Sequence, residues 1–272
     1  MSSIGSTLEA VYQKFHHPHY VSPDPLEVVR EHPAGVEREF AALVCACFAI
    51  GRVNSIVAVC RDVLSRTGPV SDLLLMDDQE IESRFDGFVY RFFSASETAH
   101  FVCSARDLIG KYGSLDAVCE CGVRAGSRTN KPRAIDALVY MAERLREGKT
   151  PLRSIIVPDP GGPGASKRLH LFLRWMVRRD CVDPGGFSSL IPSDLMVPVD
   201  VHMHRIARVL GMTRRKTADA KTSMEITECL RTYDPEDPVR FDFSLTRIGI
   251  HPDGRLSIPE LLDHAQYAPG MA

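Results

Sequence analysis

Three observations in the sequence predict an all-α protein. Apolar residues recur at the three- and four-residue steps of a helix face, as in Val53, Ile56, Val57, Cys60, Val63 and Leu64. Helix start and stop signals frame other stretches, since Ser94 and Glu97 match a capping box and Gly113 follows the same segment. No stretch keeps the strict two-residue alternation of a half-buried strand.

In chain order, the predicted elements begin with an irregular segment, because four prolines interrupt any long helix in residues 1–36. After it, apolar stripes and caps predict helices at about 37–47, 53–64, 70–84, 96–111, 115–121, 133–147, 167–179, 200–210, 219–231 and 237–249. Short turns containing Gly or Ser join the helices up to 148. Residues 37–148 are therefore expected to form one helical lobe.

The composition, with 44% hydrophobic and 25% charged residues, is that of an ordinary soluble protein. No run approaches the roughly 20 apolar residues of a membrane span, and the N-terminus lacks the basic and apolar regions of a signal peptide. We therefore expect a cytoplasmic protein with no membrane partner. The eight cysteines include no C-x-x-C pair, so they predict reduced core residues and no zinc site.

Positive charge is concentrated in one part of the chain. The net charge is only -2, yet the segment Gly161–Lys221 holds eleven Lys and Arg against five Asp. A charged run is most often a solvated face. When it surrounds a candidate active site, however, it is also the footprint expected of a protein that binds a phosphate backbone.

The centre of that basic region is a helix start at Asp200. Pro198 and the β-branched Val199 disfavour a helix before this residue, and helical spacing of apolar residues follows it as far as Gly211. Asp200 is therefore the predicted N-cap, a position where an aspartate is usually only structural. The polar face of the helix carries donors suited to an anion: His202, Arg205 and Arg208.

A second helix start lies at Lys167, after a turn rich in Gly and Pro at residues 159–166. Such a turn exposes backbone N–H groups at the positive end of a helix dipole, which suits a phosphate. Taken alone the signal is weak, because Gly-Pro turns before helices are common. Trp175 lies in the apolar stretch of the same helix, where a tryptophan is more often a core residue than a stacking surface.

Both helix starts resemble motifs of the helix-hairpin-helix DNA glycosylases, the superfamily of endonuclease III. Residues 197–207, Val-Pro-Val-Asp-Val-His-Met-x-x-Ile-Ala, resemble the stretch around that superfamily's catalytic aspartate. Gly162-x-Gly164-x-x-Lys167 resembles its L-P-G-x-G-x-K hairpin, with one extra residue and no leading Leu. The separation of 33 positions from Lys167 to Asp200 is similar to that of the archaeal 8-oxoguanine glycosylase branch.

The resemblance implies a two-lobed fold without an iron–sulfur cluster, since no four-cysteine set follows Cys229. Residues 37–148 would form the six-helix-type lobe, and residues 1–36 with 149–272 the helix-hairpin-helix lobe, with the active site between them. The chain also resembles an uncharacterised bacterial family that shares the patterns at 167–178 and 234–243.

The resemblance also implies roles for individual residues. Lys167 would be the nucleophile, and Asp200 would stabilise the sugar cation. Contacts with DNA are expected from Gly162, Gly164, Ser166, Arg168, His202, Arg205, Arg52 and Asn54. The base pocket is expected to include Trp175, Phe48 and Asp242, although an exposed position is the simpler expectation for Asp242.

The function that follows is base-excision repair by a glycosylase with AP-lyase activity, with 8-oxoguanine as the best candidate base. The expected partner is double-stranded DNA containing a damaged base, bound by a nucleoid-associated monomer without cofactor or metal. Two alternatives share the fold: a monofunctional glycosylase that uses Asp200 and water, and a non-catalytic DNA-binding protein. A further alternative is a metal-dependent hydrolase with Asp200, His202 and His204 on one side of a strand. His16, His17 and His19 also suggest a metal, but no carboxylate or cysteine lies at ligand spacing in the sequence.

Overall fold

A computed structural model describes residues 3–126, 132–147 and 156–250 of the chain. These residues form thirteen α-helices and one two-stranded antiparallel sheet. The helices are α1 (Ser3–Phe15), α2 (Pro25–Glu31), α3 (Val36–Cys47), α4 (Val53–Thr67), α5 (Val70–Leu73), α6 (Asp78–Arg84), α7 (Ala95–Tyr112), α8 (Leu115–Gly126), α9 (Arg133–Arg146), α10 (Lys167–Val177), α11 (Val201–Val209), α12 (Ala220–Arg231) and α13 (Asp242–Ile250). The strands are β1 (Val89–Tyr90) and β2 (Phe93–Ser94), and 3-10 turns lie at Pro18–Tyr20 and Pro192–Asp194. The all-α prediction is confirmed for these residues.

Several helices begin at the residue that the sequence predicts. Ser94 and Glu97 form the capping box of α7, and Gly113 ends that helix with a φ of 85°. Asp200 caps α11, and Asp219 caps α12. In each case a side-chain oxygen accepts hydrogen bonds from amides that have no partner within the first helical turn.

The expectation for residues 1–36 was wrong, because this segment contains α1 and α2. Leu8 and Phe15 of α1 are fully buried, and α1 packs against α13. Asp24 caps α2, and Pro25 occupies its first position. Proline is well suited to that position, since the first helical amides have no intrahelical partner.

Two other predicted helices have different boundaries. The helix expected at 70–84 is divided into α5 and α6, because Asp77 accepts a hydrogen bond from the amide of Glu80 at 2.8 Å and starts a second helix. The helix expected at 237–249 begins only at Asp242. The carboxylate of Asp237, the predicted N-cap, instead accepts a hydrogen bond from Arg178 at 2.8 Å.

Helix α3 lies at the centre of the molecule, and its side chains from Glu39 to Cys47 are all buried. It packs against α2, α4, α8 and α10. Helices α7, α8 and α9 pack together on one side, whereas α1 and α11 both pack against α13. The contact between α3 and α10 therefore joins two groups of helices, and the predicted lobe boundary near 148 lies outside the described residues. None of the described helices has the length and apolar character needed to cross a membrane.

Candidate active site

A cleft of about 550 Å³ lies where α10, α11 and α13 meet the connection between α3 and α4. Helix starts supply its two central charged groups, since Lys167 is the first residue of α10 and Asp200 caps α11. The cleft brings together six of the predicted site residues: Lys167, Asp200, His202, Arg52, Trp175 and Asp242. Their sequence numbers span 190 positions, so the cleft is a product of tertiary packing.

Lys167 and Asp200 form an ion pair in the wall of this cleft. Lys167 Nζ donates a hydrogen bond to Asp200 Oδ2 at 3.0 Å, and the two side chains are 34% and 15% exposed. Asp200 Oδ1 accepts from the backbone amides of His202 and Met203 at 2.9 and 2.8 Å. One carboxylate thus caps a helix and faces a primary amine that solvent reaches.

The pKa of Asp200 is lower than that of an ordinary aspartic acid. Burial alone would raise this pKa, but the Lys167 ammonium group and the Met203 amide outweigh burial. The positive end of the α11 dipole favours the same negative charge. The cleft therefore holds a carboxylate that is ionised at neutral pH beside the amine.

The turn before α10 fixes the position of Lys167. Ser166 has a left-handed φ of 43°, and its Oγ donates a hydrogen bond to the Asp159 carbonyl at 2.9 Å. The Gly162 amide donates to the same carbonyl at 3.2 Å, so this N–H group is used within the turn. The predicted phosphate contact through Gly162 would have to replace that internal hydrogen bond.

Helix α12 supports the same turn from the other side. The Pro163 carbonyl accepts a hydrogen bond from the Ala220 amide at 3.0 Å, and Gly164 forms an isolated antiparallel bridge with Asp219. Gly164 itself is exposed. The turn is therefore fixed at both ends, which holds the first residue of α10 at a constant position relative to the cleft.

The floor of the cleft contains a buried ion pair between Arg174 and Asp242. Asp242 is only 1% exposed, so the expectation of an exposed charge was wrong. Burial raises the pKa of Asp242, and the neighbouring Arg174 guanidinium offsets part of this effect. Asp242 Oδ1 and the buried Nε1 of Trp175 have no hydrogen-bond partner among the described residues. Two residues of the floor thus carry an acceptor and a donor that no group in the described part of the chain satisfies.

Arg174 also belongs to an ionic network behind the floor. Asp183 is fully buried and accepts hydrogen bonds from Arg174 Nη2 at 3.0 Å and from Arg178. Arg178 further contacts Asp180 and Asp237, each at 2.8 Å. This network connects the last two turns of α10 to the loop that follows it and to the segment before α13.

The predicted DNA contacts divide between the cleft and its surroundings. Arg52 and His202 line the cleft, whereas Asn54 is exposed outside its lining. Arg205 is exposed farther along α11, beside a shallow depression. Other basic side chains around that depression are His204, Arg208 and Lys216.

Two further predicted residues lie away from the cleft. Phe48 is fully buried and packs edge-on against Phe93, which places it in the hydrophobic core and not in a base pocket. The Arg168 guanidinium donates hydrogen bonds to the Ile156 carbonyl at 3.0 Å and to the Cys47 carbonyl. Arg168 therefore connects the start of α10 to the end of α3.

The geometry does not suit the metal-hydrolase alternative, which requires a strand. Asp200 precedes a helix that contains His202 and His204, so alternate residues do not share one side. His204 Nε2 lies 3.0 Å from the Arg215 carbonyl, outside the lining of the cleft. These contacts hold the two histidines apart in different surroundings.

His16 lies beside Asp180, an acidic residue that is distant from it in the sequence. Its Nε2 lies 3.0 Å from Asp180 Oδ2, and Cys181 Sγ donates to the His16 carbonyl at 3.4 Å. Arg178 already pairs with the same carboxylate oxygen at 2.8 Å. A guanidinium at that distance opposes a metal cation, so an ion-pair network is the simpler account of this cluster.

Arg174 and Arg247 were absent from the predicted site, although both line the cleft. Arg247 is 4% exposed, forms an ion pair with Asp24, and lies 4.5 Å from the centre of the Phe243 ring. A signal was present in the sequence, because each arginine interrupts the apolar face of a helix. Buried arginines of this kind require acidic partners, and the sequence does not say where those partners lie.

The chain belongs to the family whose model is described as "Protein of unknown function (DUF2400)", which matches residues 24–251. The match includes both helix starts of the cleft and nearly all of its lining. No curated protein and no solved structure matches the chain.

Proposed function

We propose that this protein is a DNA base-excision glycosylase with AP-lyase activity, built on the two-lobed helix-hairpin-helix glycosylase fold. One observation carries the proposal: Lys167 Nζ lies 3.0 Å from Asp200 Oδ2 in an open cleft between two helix starts. The chemistry requires an amine and an ionised carboxylate at the same sugar. Both motifs that resemble the superfamily contribute their functional residue to this pair.

In the proposed reaction, the base leaves with the electron pair of its glycosidic bond while positive charge develops on the sugar. The ionised Asp200 stabilises that charge, as carboxylates do in glycoside hydrolysis. The Lys167 ammonium group gives a proton to the departing base, and the resulting amine forms a bond to C1′. The C1′–O4′ bond then breaks, and O4′ takes a second proton from the nitrogen, which leaves a protonated Schiff base. Loss of a C2′ proton then expels the 3′ phosphate, and water releases the enzyme.

The size and floor of the cleft support a flipped nucleotide as the ligand. A volume of about 550 Å³ falls within the range of small-molecule sites, and a base must leave the duplex to reach a catalytic group. The Trp175 Nε1–H donor and the Asp242 Oδ1 acceptor lie buried in the floor without a partner among the described residues, and a bound base would satisfy them if the side chains that cover them move aside. We propose 8-oxoguanine as the first base to test.

Positive charge around the cleft supports DNA as the partner. Arg52 lines the cleft, and the exposed face of α11, the helix that Asp200 caps, carries Arg205 and Arg208. Such charges contribute sequence-independent affinity for phosphates that weakens steeply as salt is raised. Phosphate contacts would supply the free energy that unstacking a base requires.

The decisive test is borohydride trapping on duplexes that contain 8-oxoguanine, uracil or an abasic site. The wild-type protein is expected to form a covalent adduct that Lys167→Gln does not form. Lys111→Gln makes the same substitution on the exposed surface of α7 and is expected to trap like the wild type. No adduct on any duplex would exclude the lyase step, and base release without an adduct would indicate the monofunctional enzyme.

Asp200→Asn separates binding from chemistry. Asparagine keeps the helix cap but removes the charge, so base release should fall by at least about a hundredfold while duplex binding is retained. Asp77→Asn, which changes the N-cap of α6, is the matched control. Unchanged base release in Asp200→Asn would contradict the proposed mechanism.

A further inference from the structure

Arg168, the residue directly after Lys167, carries a half-buried guanidinium that is directed into the protein. Its Nη1 donates hydrogen bonds to the Ile156 carbonyl at 3.0 Å and to the Cys47 carbonyl. Burial lowers the pKa of this guanidinium, because the surroundings replace only part of its hydration. An arginine that only contacted a phosphate backbone would remain in solvent, so these contacts indicate a role inside the protein.

The carbonyl of Cys47 is a group that needs such a donor. Cys47 is the last residue of α3 and is fully buried. The last four carbonyls of an α-helix have no partner within the helix, and a buried carbonyl without a partner costs free energy. A cation at this end of a helix also interacts favourably with the helix dipole. Arg168 therefore satisfies the C-terminus of α3 at a residue that solvent does not reach.

The contact between Arg168 and Cys47 joins two segments that both line the cleft. Gly51 and Arg52 lie in the loop that directly follows α3, and Lys167 begins α10. The contact spans 121 residues of sequence, so it is made only when α3 and α10 pack together. One side chain thus fixes the loop after α3 relative to the backbone of Lys167.

The residue before Lys167 is held in a comparable way. Ser166 has a left-handed backbone, and its Oγ donates a hydrogen bond to the Asp159 carbonyl at 2.9 Å. A conformation of this kind costs free energy and persists where the surrounding structure holds it. Both neighbours of Lys167 therefore use their side chains to bind backbone carbonyls of other segments. The Lys167 amine extends towards Asp200 from a backbone that is restrained on both sides.

We propose that Arg168 is a positioning residue, which joins the end of α3 to the start of α10 and thereby holds the Lys167 amine in place for its reaction. This inference rests on the proposed function, since it takes Lys167 as the nucleophile. Reacting atoms must approach to about 3–3.5 Å, and a displacement of about 1 Å can slow a reaction about a hundredfold. Arg168 is absent from the lining of the cleft, so it acts through Lys167 and not on the substrate.

This assignment differs from the sequence-based expectation, which gave Arg168 a contact with DNA. Its Nη1 instead donates to two carbonyls of the protein. A phosphate contact contributes to affinity and to the salt dependence of affinity. A positioning residue contributes to the rate of the reaction when all of the enzyme is bound to DNA. The two roles therefore predict different measurements.

The test measures the single-turnover rate of borohydride trapping on a saturating abasic duplex, together with the affinity for that duplex at two salt concentrations. Arg168→Met keeps the aliphatic part of the side chain and removes the donors. Its trapping rate should fall about a hundredfold, while affinity and its salt dependence stay at the wild-type values. Arg168→Lys keeps a charged donor without the planar fork, so its rate should lie between those of wild type and Arg168→Met.

Arg231→Met is the matched control, because Arg231 Nη1 also donates to a backbone carbonyl, that of Ser193 at 2.8 Å, outside the lining of the cleft. It should trap at the wild-type rate. A wild-type rate in Arg168→Met would overturn the inference, as would weakened affinity with an unchanged rate or an equal loss of rate in Arg231→Met. If Arg168→Met does not fold, Arg168→Lys decides: a reduced rate supports the inference and a wild-type rate overturns it.

Chemical labelling of amines separates this inference from the proposed function, since it requires neither DNA nor a lyase step. Lys167 is hydrogen-bonded to a carboxylate and 34% exposed, so an amine-reactive reagent should modify it more slowly than the exposed Lys111. Arg168→Met should raise the labelling rate of Lys167 towards that of Lys111, and Arg231→Met should not.

Two outcomes are then distinct. Wild-type protein that forms no adduct on any duplex, together with this change in labelling, would reject the proposed chemistry and retain the positioning role of Arg168. An unchanged labelling rate of Lys167 in Arg168→Met would overturn the positioning role, whatever the trapping shows.

Discussion

The two ends of α10 carry ion pairs of opposite character. At its first residue, Lys167 pairs with Asp200, and the amine is 34% exposed in an open cleft. At its last turns, Arg174 and Arg178 pair with Asp183 and other acids, and both arginine side chains are 4% exposed. The same helix thus has an accessible pair at one end and a buried network at the other.

The difference in exposure distinguishes the ion pairs that stabilise the fold from the pair that is available for chemistry. Exposed ion pairs contribute about 0–1 kcal/mol, because water screens them and long side chains lose entropy. Removing one partner of a buried pair costs about 3–5 kcal/mol, because the remaining charge stays buried without compensation. The network is therefore expected to hold the cleft floor, whereas Lys167 contributes little to folding.

The largest effect is expected from Asp183→Asn. This change leaves Arg174 and Arg178 without their shared carboxylate, so the free energy of unfolding should fall by about 3–5 kcal/mol. Urea unfolding measures it. Asp62→Asn removes the exposed partner of Arg66 and should change nothing measurable. Equal effects in the two variants would remove the distinction between the buried and exposed pairs.

His170, one turn after Lys167 and fully inside the protein, should give a pH-dependent effect of intermediate size. Burial lowers its pKa from 6.5 to about 4. As the pH falls from 6.5 to 4, the unfolded chain takes up the proton first, so the native state loses up to about 3 kcal/mol.

The measurement for His170 is the stability difference between wild type and His170→Leu as a function of pH. The variant lacks the titrating group, so it should gain stability relative to wild type steadily below pH 6.5. Carboxyl groups titrate in both proteins and cancel in the difference. A constant difference from pH 7 to pH 4 would show that His170 does not reach this burial in solution.

The smallest effect on stability is expected for the pair in the cleft. Lys167→Gln should change the free energy of unfolding by about 1 kcal/mol and Asp200→Asn by about 1–2 kcal/mol, because the Asp200 side chain is only 15% exposed while Asn also caps a helix well. Both should still eliminate their step of the chemistry. A loss as large as that of Asp183→Asn would make the Lys167 pair structural and weaken the proposed function.

Local signals in the sequence were sufficient for most helices and for the two central residues of the site. Caps such as Asp200, Ser94 and Asp219 act on amides within three residues, so their effect is written in consecutive positions. Helical spacing of apolar residues likewise indicates the buried face of one helix. The start of α13 was misplaced because Asp237 is engaged by Arg178, which lies 59 residues earlier.

Only the tertiary structure determined which side chains from different helices lie next to each other. Arg174 and Asp242 are 68 residues apart. The sequence around each residue contains no signal that identifies the other as its partner. Phe48, which the sequence assigned to a base pocket, packs against Phe93 in the hydrophobic core. Hydrogen bonds within a helix depend on residues three or four positions away, whereas the contacts of a buried charge or a buried ring depend on how whole helices pack.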